Sequence, residues 1–544
     1  MSEYVYIGPS EDPLSTLDSY WPVIAVDTET ISLKNQVCIG IGIMFGPHRL
    51  YVQTYPELTE IATKVMWLIS RPDITKVYHN VFYDYRVLCD LAEEEGLNIP
   101  DLTNIADTSL MAKVSGHSAS LEDSSIELLN FSNEYSIKGL LTEAGHRATM
   151  LDVPIEMVAA KCLNDVYATY NLRDKFNLTP AMEDCYNVDL EMVRVLLKME
   201  LQGLALHQPL LLEHQERLKR KMLRLGDVCA VEGFNPGSSQ QVGYVLATRG
   251  NILPFTKGRK QLRTDEEVLE ELDDPLAQVV LDYRSAQKLL GTYVEPWVGK
   301  ERATTHFRMD LSTGRLASFD RNLQNIPPEM RAIFKPDNVV FSWFDYSQIE
   351  LRTLAHMTGD KVMLEAYENN YDLHQMTADV AGVSRADGKT FNFAKVFGAS
   401  NRMLARKTSV PAAQIPVLRE AWDKLYPDAA RWISNQMYNH GATVESLYGR
   451  KMQLPLAKDG VSNTRAFEIH VGNCAVNYPI QGTAADIMKR AIIQISKDGP
   501  DMRLQIHDEL LIDGYYQFDK GLESVCPEFK TPFEAKFGPV WKKD

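Results

Sequence analysis

Two aspartates far apart in the chain each stand beside an apolar run that reads as a β-strand. Bringing those strands together constrains the fold more than any other feature. Val339, Val340, Phe341, Ser342, Trp343 and Phe344 lead into Asp345. Leu504 and Ile506 lead in and Leu510, Leu511 and Ile512 lead out of a predicted hairpin with His507, Asp508 and Glu509 at its turn. A lone aspartate at a strand end is commonly a turn former or a cap. Two carboxylates delivered to one place by distant strands are what two-metal phosphoryl transfer needs. Mg2+ takes oxygen ligands and keeps positions for water and substrate phosphate.

Arg385, Lys389, Phe393 and Phe397 recur every fourth residue, which puts them along one side of a helix. Cations at that spacing can grip a triphosphate, and an aromatic ring one turn on can lie against a sugar or base. The competing reading is an amphipathic helix with a solvated basic edge.

A third set of residues lies near the start of the chain. Asp27 and Glu29 follow the strand-like WPVIAV, Asp84 sits in HNVFYDYRVL and Asp165 in CLNDVYATY. Each acid alone is more commonly a surface or cap residue. Together, four acids holding two metals would activate water against a phosphodiester.

A chain of 544 residues should form several domains. Residues 1–180 alternate strand-like pieces (Pro22 to Val26, Val37 to Met44) with helical patterns after Pro56, Asn80 and Pro154, which suggests an α/β domain. Residues 185–295 read as mostly helical around the loop Gly233 to Gly237, strands return near 296, and 356–440 are helical again. Seven scattered cysteines without a CxxC read as reduced thiols. The N-terminus has neither the basic start nor the apolar core of a signal peptide, and no apolar run is long enough to span a bilayer. The net charge of −16 argues against a nucleic-acid binder unless positive charge is local. Two local clusters qualify. One pairs Leu211, Leu218, Met222 and Leu225 with Arg217, Lys221 and Arg224, beside Lys219 and Arg220; the other is Lys257, Arg259, Lys260 and Arg263. Solvated faces explain many such runs, but along a duplex they would make binding salt-dependent.

The strings Asp345-Tyr-Ser-Gln-Ile-Glu-Leu-Arg352 and His507-Asp508-Glu509 resemble the palm motifs of family A DNA polymerases, the family of bacterial DNA polymerase I. The Arg385–Phe397 stripe resembles their fingers helix, with Phe397 where the family usually has Tyr. Further matches are Ser312–Ser318, Asn322–Pro327, NYPIQGTAAD around Asn477 and Gln481, and YGRKMQLP at 448–455, so the likeness runs from about residue 20 to 515. It implies a multidomain α/β and α+β chain: an RNase H-like 3′–5′ exonuclease domain over residues 1–184, then a right-hand polymerase. Its thumb would span 185–295, its palm 296–355 and 441–544, and its fingers 356–440.

The resemblance also implies roles. Asp345, Asp508 and the Tyr346 carbonyl would hold two Mg2+ ions, with Glu509 supporting the catalytic site near the primer end. Arg385, Lys389 and His374 would bind the triphosphate, Lys389 giving a proton to pyrophosphate. Phe393 would stack on the incoming sugar, and as Phe rather than Tyr it implies discrimination against dideoxynucleotides. Glu350 would block a ribose 2′-hydroxyl, and loss of the Tyr hydroxyl at Phe397 would touch fine control of pairing. Arg315, Gln324, Asn325, Arg331, Asn477, Gln481 and His507 would lie along the DNA.

In the exonuclease domain Asp27, Glu29, Asp84 and Asp165 would be the metal ligands, with Asn80 orienting the Asp84 segment. The family carries Tyr four residues before the last aspartate, and this chain has Lys161. Tyr170 and Asp174 reproduce the literal spacing, but Pro154 and DVYATYNL align Asp165 instead. Two readings stay open: an active exonuclease with two Mg2+, where Lys161 bonds the water or competes with the second metal, and a scaffold. A single-subunit RNA polymerase shares the palm aspartates and the Arg/Lys helix, against which Glu350 and the exonuclease-like region argue. A stand-alone nuclease or a non-catalytic DNA-binding protein would leave the palm motifs without purpose. The compact chain, with no room for a 5′-nuclease domain or a large thumb insertion, points to a bacteriophage replicative enzyme. Such an enzyme would be a monomer in the host cytoplasm, with primer–template DNA, dNTPs and replisome proteins as partners and no membrane.

Overall fold

The computed structural model describes residues 4–7, 16–17, 19–32, 34–145, 148–256, 260–456 and 465–542. Lys257 and Arg259 of the second basic cluster lie outside the described residues. A six-stranded sheet organises the first part: β1 (Tyr4–Ile7), β2 (Val23–Thr30), β3 (Cys38–Phe45), β4 (His48–Gln53), β5 (Thr75–Tyr78) and β6 (Ile105–Asp107). Their order is β1-β4-β3-β2-β5-β6. The β2–β5 and β5–β6 pairs are parallel and the rest antiparallel. The helix Ile155–Leu172 packs on β2 and β3. Gly42 permits that approach, because a Cβ there would sit 2.6 Å from Cys162 Sγ. This close seat carries Lys161 and Asp165 down onto β2.

The core of this sheet runs without a break, through the helix Pro180–Gln202, into the core under a second sheet. That sheet is antiparallel throughout, with Glu509–Asp513 between Asp501–Ile506 and Phe341–Tyr346, and Phe533–Gly538 at the far edge. The boundary placed after residue 184 falls inside the helix Pro180–Gln202, which packs against the long helix Arg465–Ser496. Residues after it, Leu204–Leu206, pair with Phe334–Lys335 and Arg302–Ala303. Among the further, separate cores are two in the helical regions. One gathers Leu351, Phe391, Trp422 and Tyr426 from helices after Ile349, and the other gathers Cys229, Phe234, Val242, Leu246 and Val280. Around the latter, the helices Gln208–Val231 and Pro275–Tyr293 pack along each other.

The joint between the first part and the second sheet holds a buried ionic network. Arg450 donates to Asp189 (2.7 and 3.0 Å) and to Asp486 (2.6 and 3.0 Å), and Lys489 Nζ donates to Asp189 at 2.6 Å. All four side chains are essentially inaccessible to solvent. One expectation changes in the second sheet: the strand expected from Val339 begins at Phe341. Val339 is exposed with φ +65°, and the turn before the strand is tied by Asp337 and Asn338 N–H groups donating to the Asp513 carboxylate at 2.8 Å.

Candidate active sites

The strand Phe341–Tyr346 delivers Asp345 at its end, and the hairpin Asp501–Ile506 to Glu509–Asp513 delivers Asp508 at a two-residue turn. The Tyr346 N–H donates to the Asp508 carbonyl at 3.2 Å, so the two acid-bearing segments are locked side by side. His507 takes φ +52°, a left-handed conformation that costs a non-glycine residue roughly 1 kcal/mol and gives the hairpin its tight turn. Asp345 and Asp508 are both half-buried. Beside them opens a cavity of about 290 Å3 lined by Arg315, Gln348, Glu350, Phe393, His507 and Asp508. Donors here are carboxylate and carbonyl oxygens, which suit a hard divalent cation.

Helix Arg385–Val396 faces that cavity through Phe393, whose ring stacks on Phe397 with centroids 6.0 Å apart and planes at 4°. Arg385 and Lys389 are exposed on the same helix, and Arg385 Nε donates to Asp372 at 2.5 Å. His374 lies 5.8 Å from the Phe393 ring, and burial, with Arg385 and Lys389 adding to it, lowers its pKa to about 4. Sequence reading missed the residue that orients it. Asn392 Oδ1 accepts from Trp422 Nε1 (2.9 Å) and Thr377 Oγ1 (2.8 Å), so its NH2 must be the group facing Leu373 O and His374 Nδ1 (3.0 Å). Nδ1 is then the acceptor, and Nε2 carries the proton of a neutral ring. No spacing signals this, because Trp422 and Thr377 come from other helices.

The residues expected along DNA have the following surroundings. Arg331 is buried, donates to both Glu509 oxygens (3.1 and 3.0 Å) and lies 4.0 Å over the Trp541 ring. Trp541 Nε1 donates to Glu509 Oε1 at 2.5 Å. The Glu509 carboxylate is therefore spent on a buried ion pair, although its backbone stands opposite Asp345. Gln324 is buried and donates to Gln505 O (3.2 Å) and Oε1 (2.7 Å), which braces the hairpin. Arg315 and Glu350, both lining the cavity, pair with each other. Asn325 is exposed, and its carbonyl accepts from Tyr293 OH at 2.8 Å. Asn477 and Gln481 lie one turn apart on the helix Arg465–Ser496, on either side of Pro479, and Asn477 Oδ1 is buried without a partner among the described residues.

The first sheet assembles its own acids. Asp27 and Glu29 alternate on β2, and Asp84 reaches Thr28 from the helix Val81–Glu95, accepting from its N–H (2.9 Å) and Oγ1 (2.8 Å). Lys161 Nζ donates to Glu29 Oε1 at 2.6 Å and to Asp165 Oδ2 at 2.7 Å. Asn133, not singled out from sequence, donates to Asp165 Oδ1 at 2.8 Å. Burial raises Asp27 and Glu29 above the usual carboxylate range and pushes Asp84 up to about 7. Burial works against the Lys161 charge, but Glu29, Asp165 and Asp27 outweigh it and hold the ammonium protonated.

Asp27, Glu29 and Cys162 offer ligand atoms within 4.8 Å of one another. Cys162 is a protonated thiol by burial and donates to Asp27 Oδ2 at 3.2 Å, so the donors present suit one hard cation. A second cation does not fit: the seat between Glu29 and Asp165 is already filled by an ammonium. Among the described residues the Asn80 side chain makes no capping hydrogen bond to the helix that carries Asp84. The Asn80 backbone takes φ +78°, and the Asn80 and Val81 N–H groups donate to Asp107 (3.2 and 2.7 Å) at the start of that helix. Asp174 pairs with Arg173 on the surface, away from this cluster.

The basic helix is less positive than its sequence suggests. Lys221 pairs with Asp282 (2.9 Å), Arg220 with Glu216 (2.5 Å) and Lys219 with Glu295 (3.6 Å), and Arg263 is held by Asp265 and Glu267. All seven cysteines are unpaired. Among the described residues no helix is long and apolar enough to cross a membrane.

Residues 207–525 match the family model for DNA polymerase family A, and residues 10–179 match a 3′–5′ exonuclease model. The chain is 30% identical to DNA polymerase I of Chloroflexus aurantiacus, over 90% of this chain and 57% of that protein. It is 34% identical to that of Caldicellulosiruptor bescii over 61% and 43%, and 29% identical to that of Pseudomonas aeruginosa over 90% and 59%. The chain thus spans about half the length of these relatives. They are bacterial, and a bacteriophage source gains no support from them. The fold is similar to that of the POL domain of Pol1 from M. smegmatis in complex with DNA primer-template and dNTP, at TM-score 0.74 and 23% identity over 95% of both chains. The two family models account for both parts of the chain, which belongs to DNA polymerase family A, with a 3′–5′ exonuclease domain preceding the polymerase part.

Proposed function

We propose that this chain is a DNA-directed DNA polymerase that adds deoxynucleotides to a primer 3′-hydroxyl. One observation carries the reading: a single cavity joins Asp508 on the hairpin, Glu350 and Arg315, and Phe393 of the cationic helix. In this reading residues around the second sheet form the palm, 356–440 the fingers and 207–295 the thumb. Asp345, Asp508 and the Tyr346 carbonyl would hold Mg2+, which would lower the pKa of the primer hydroxyl and neutralise charge on the triphosphate. Arg385 exchanges Asp372 for phosphate oxygens, and Lys389 protonates the departing pyrophosphate. His374 donates its Nε2–H to phosphate as a neutral ring. Phe393 packs on the sugar, and the Glu350 carboxylate rejects a 2′-hydroxyl. Asn477 and Gln481 offer amide donors to the purine N3 and pyrimidine O2 acceptors present in every correct pair. Extension of a primer on a longer template, with Mg2+ and either dNTPs or rNTPs, tests this. Extension with dNTPs alone is the expected result; none with either set sinks the reading, and preference for rNTPs would select an RNA polymerase.

The Asn392 arrangement makes a separate prediction. Asn392→Ala frees the His374 ring to adopt the other tautomer and should raise the KM for dNTP about tenfold, the equivalent of ~1.4 kcal/mol. A further His374→Ala change in that background should add little, because both act through one hydrogen bond. Steady-state kinetics of the two single variants and the double variant check this, and full additivity would remove the link.

A further inference from the structure

The exonuclease domain holds a cation of its own. Lys161 stands one turn before Asp165 on the helix Ile155–Leu172, and the glycine contact at Gly42 seats that helix close enough for Nζ to reach β2. The ammonium then bridges Glu29 and Asp165, two carboxylates from elements 132 and 4 residues away, at 2.6 and 2.7 Å. Both Asp165 oxygens are taken, one by Lys161 and the other by Asn133. Asn133 also donates to the Lys161 carbonyl at 3.2 Å, so one amide fixes the lysine backbone and its acceptor together. Lys161 is buried, and its ammonium is held by both ion pairs.

We propose that Lys161 is a tethered replacement for one of two divalent cations, so that this acid cluster binds one metal ion, held through Asp27 and Glu29. The charges agree. Asp27, Glu29, Asp84 and Asp165 bring four carboxylates when all are ionised, and Lys161 returns one positive charge, leaving −3. One divalent ion brings the cluster to −1. A second would make it +1, beside an ammonium competing for the same oxygens. The lysine also does in the apo protein what a metal would otherwise do: it keeps Glu29 and Asp165 from repelling each other. The inference rests on these acids being the exonuclease metal ligands.

The test counts ions. In the full chain carrying Asp345→Ala and Asp508→Ala, which removes the polymerase-site ligands, Mn2+ is titrated by calorimetry and by the loss of the free-ion EPR signal. One ion is expected, lost on adding Asp27→Ala. Replacing Lys161 by Ala should raise the count to two, and Lys161→Gln, which keeps a hydrogen-bonding head without charge, should do the same. If Lys161→Ala folds poorly without metal, the Gln variant supplies the count. Two Asp27-dependent ions with Lys161 intact, or one in both lysine variants, would overturn the proposal. No Asp27-dependent ion in any variant would overturn the metal-site reading beneath it.

Discussion

Asp508→Ala will abolish extension of a 5′-labelled primer annealed to a longer template, while leaving the protein folded. The carboxylate stands at a two-residue turn held by backbone bonds that alanine keeps, including the Tyr346 N–H to residue 508 carbonyl contact. The hairpin remains, and only the oxygen donors disappear. Asp345 would then be left without the second carboxylate of its pair, too little to hold the ions that neutralise a triphosphate. Loss of one preorganised charge-stabilising group costs catalysis about 10²–10³-fold, and loss of a metal ligand should cost at least ~10³-fold. Single-turnover extension measures the rate, and circular dichroism or thermal unfolding checks the fold. Extension by Asp508→Ala at the wild-type rate would remove the hairpin from the chemistry. Asp345→Ala should behave alike, whereas Glu509→Ala should chiefly destabilise, because it strips Arg331 and Trp541 of their acceptor.

Asp189→Ala should cost the protein about 3–5 kcal/mol, among the largest stability effects available to a single substitution. The carboxylate is the shared acceptor of Arg450 and Lys489, and all three are out of solvent. Replacing them together by apolar groups could be nearly neutral. Removing one acid leaves two buried cations with Asp486 alone to answer them. Denaturant unfolding followed by a probe in the joint, such as fluorescence of an engineered label, measures the loss; a change below ~1 kcal/mol would show that water or rearrangement rescues the cations. The pH dependence has a definite sign. Burial opposes the Asp189 charge, but Arg450 and Lys489 outweigh it and hold its pKa below the usual carboxylate range. Its stabilisation is therefore fully present above the unfolded value of about 3.9 and is lost as pH falls through the lower folded value. Acid should loosen the joint between the exonuclease and polymerase parts.

Much of this molecule is legible in local pattern. Strand alternation and apolar runs located β2, β3 and the hairpin with Asp508 at its turn. The four-residue period located the helix carrying Arg385, Lys389 and Phe393. What local pattern did not give lay at the termini of elements and in the partners of side chains. Val339 looks like strand, but the turn tied to Asp513 holds it left-handed. The partners of Arg331 and Gln324, Glu509 and Gln505, lie far along the chain and no local pattern names them.

The residue types and spacings settle which elements form and which chemistry-bearing groups sit on them, because side-chain period and backbone preference are properties of a few neighbouring residues. Who faces whom is a property of contacts between positions far apart. Asn392 sets the His374 proton only because Trp422 and Thr377 arrive from other helices. Lys161 bridges Glu29 and Asp165 only because the bare backbone of Gly42 admits its helix against β2. A carboxylate's role turns on the nearest cation and on burial, and both are fixed by packing rather than by sequence order.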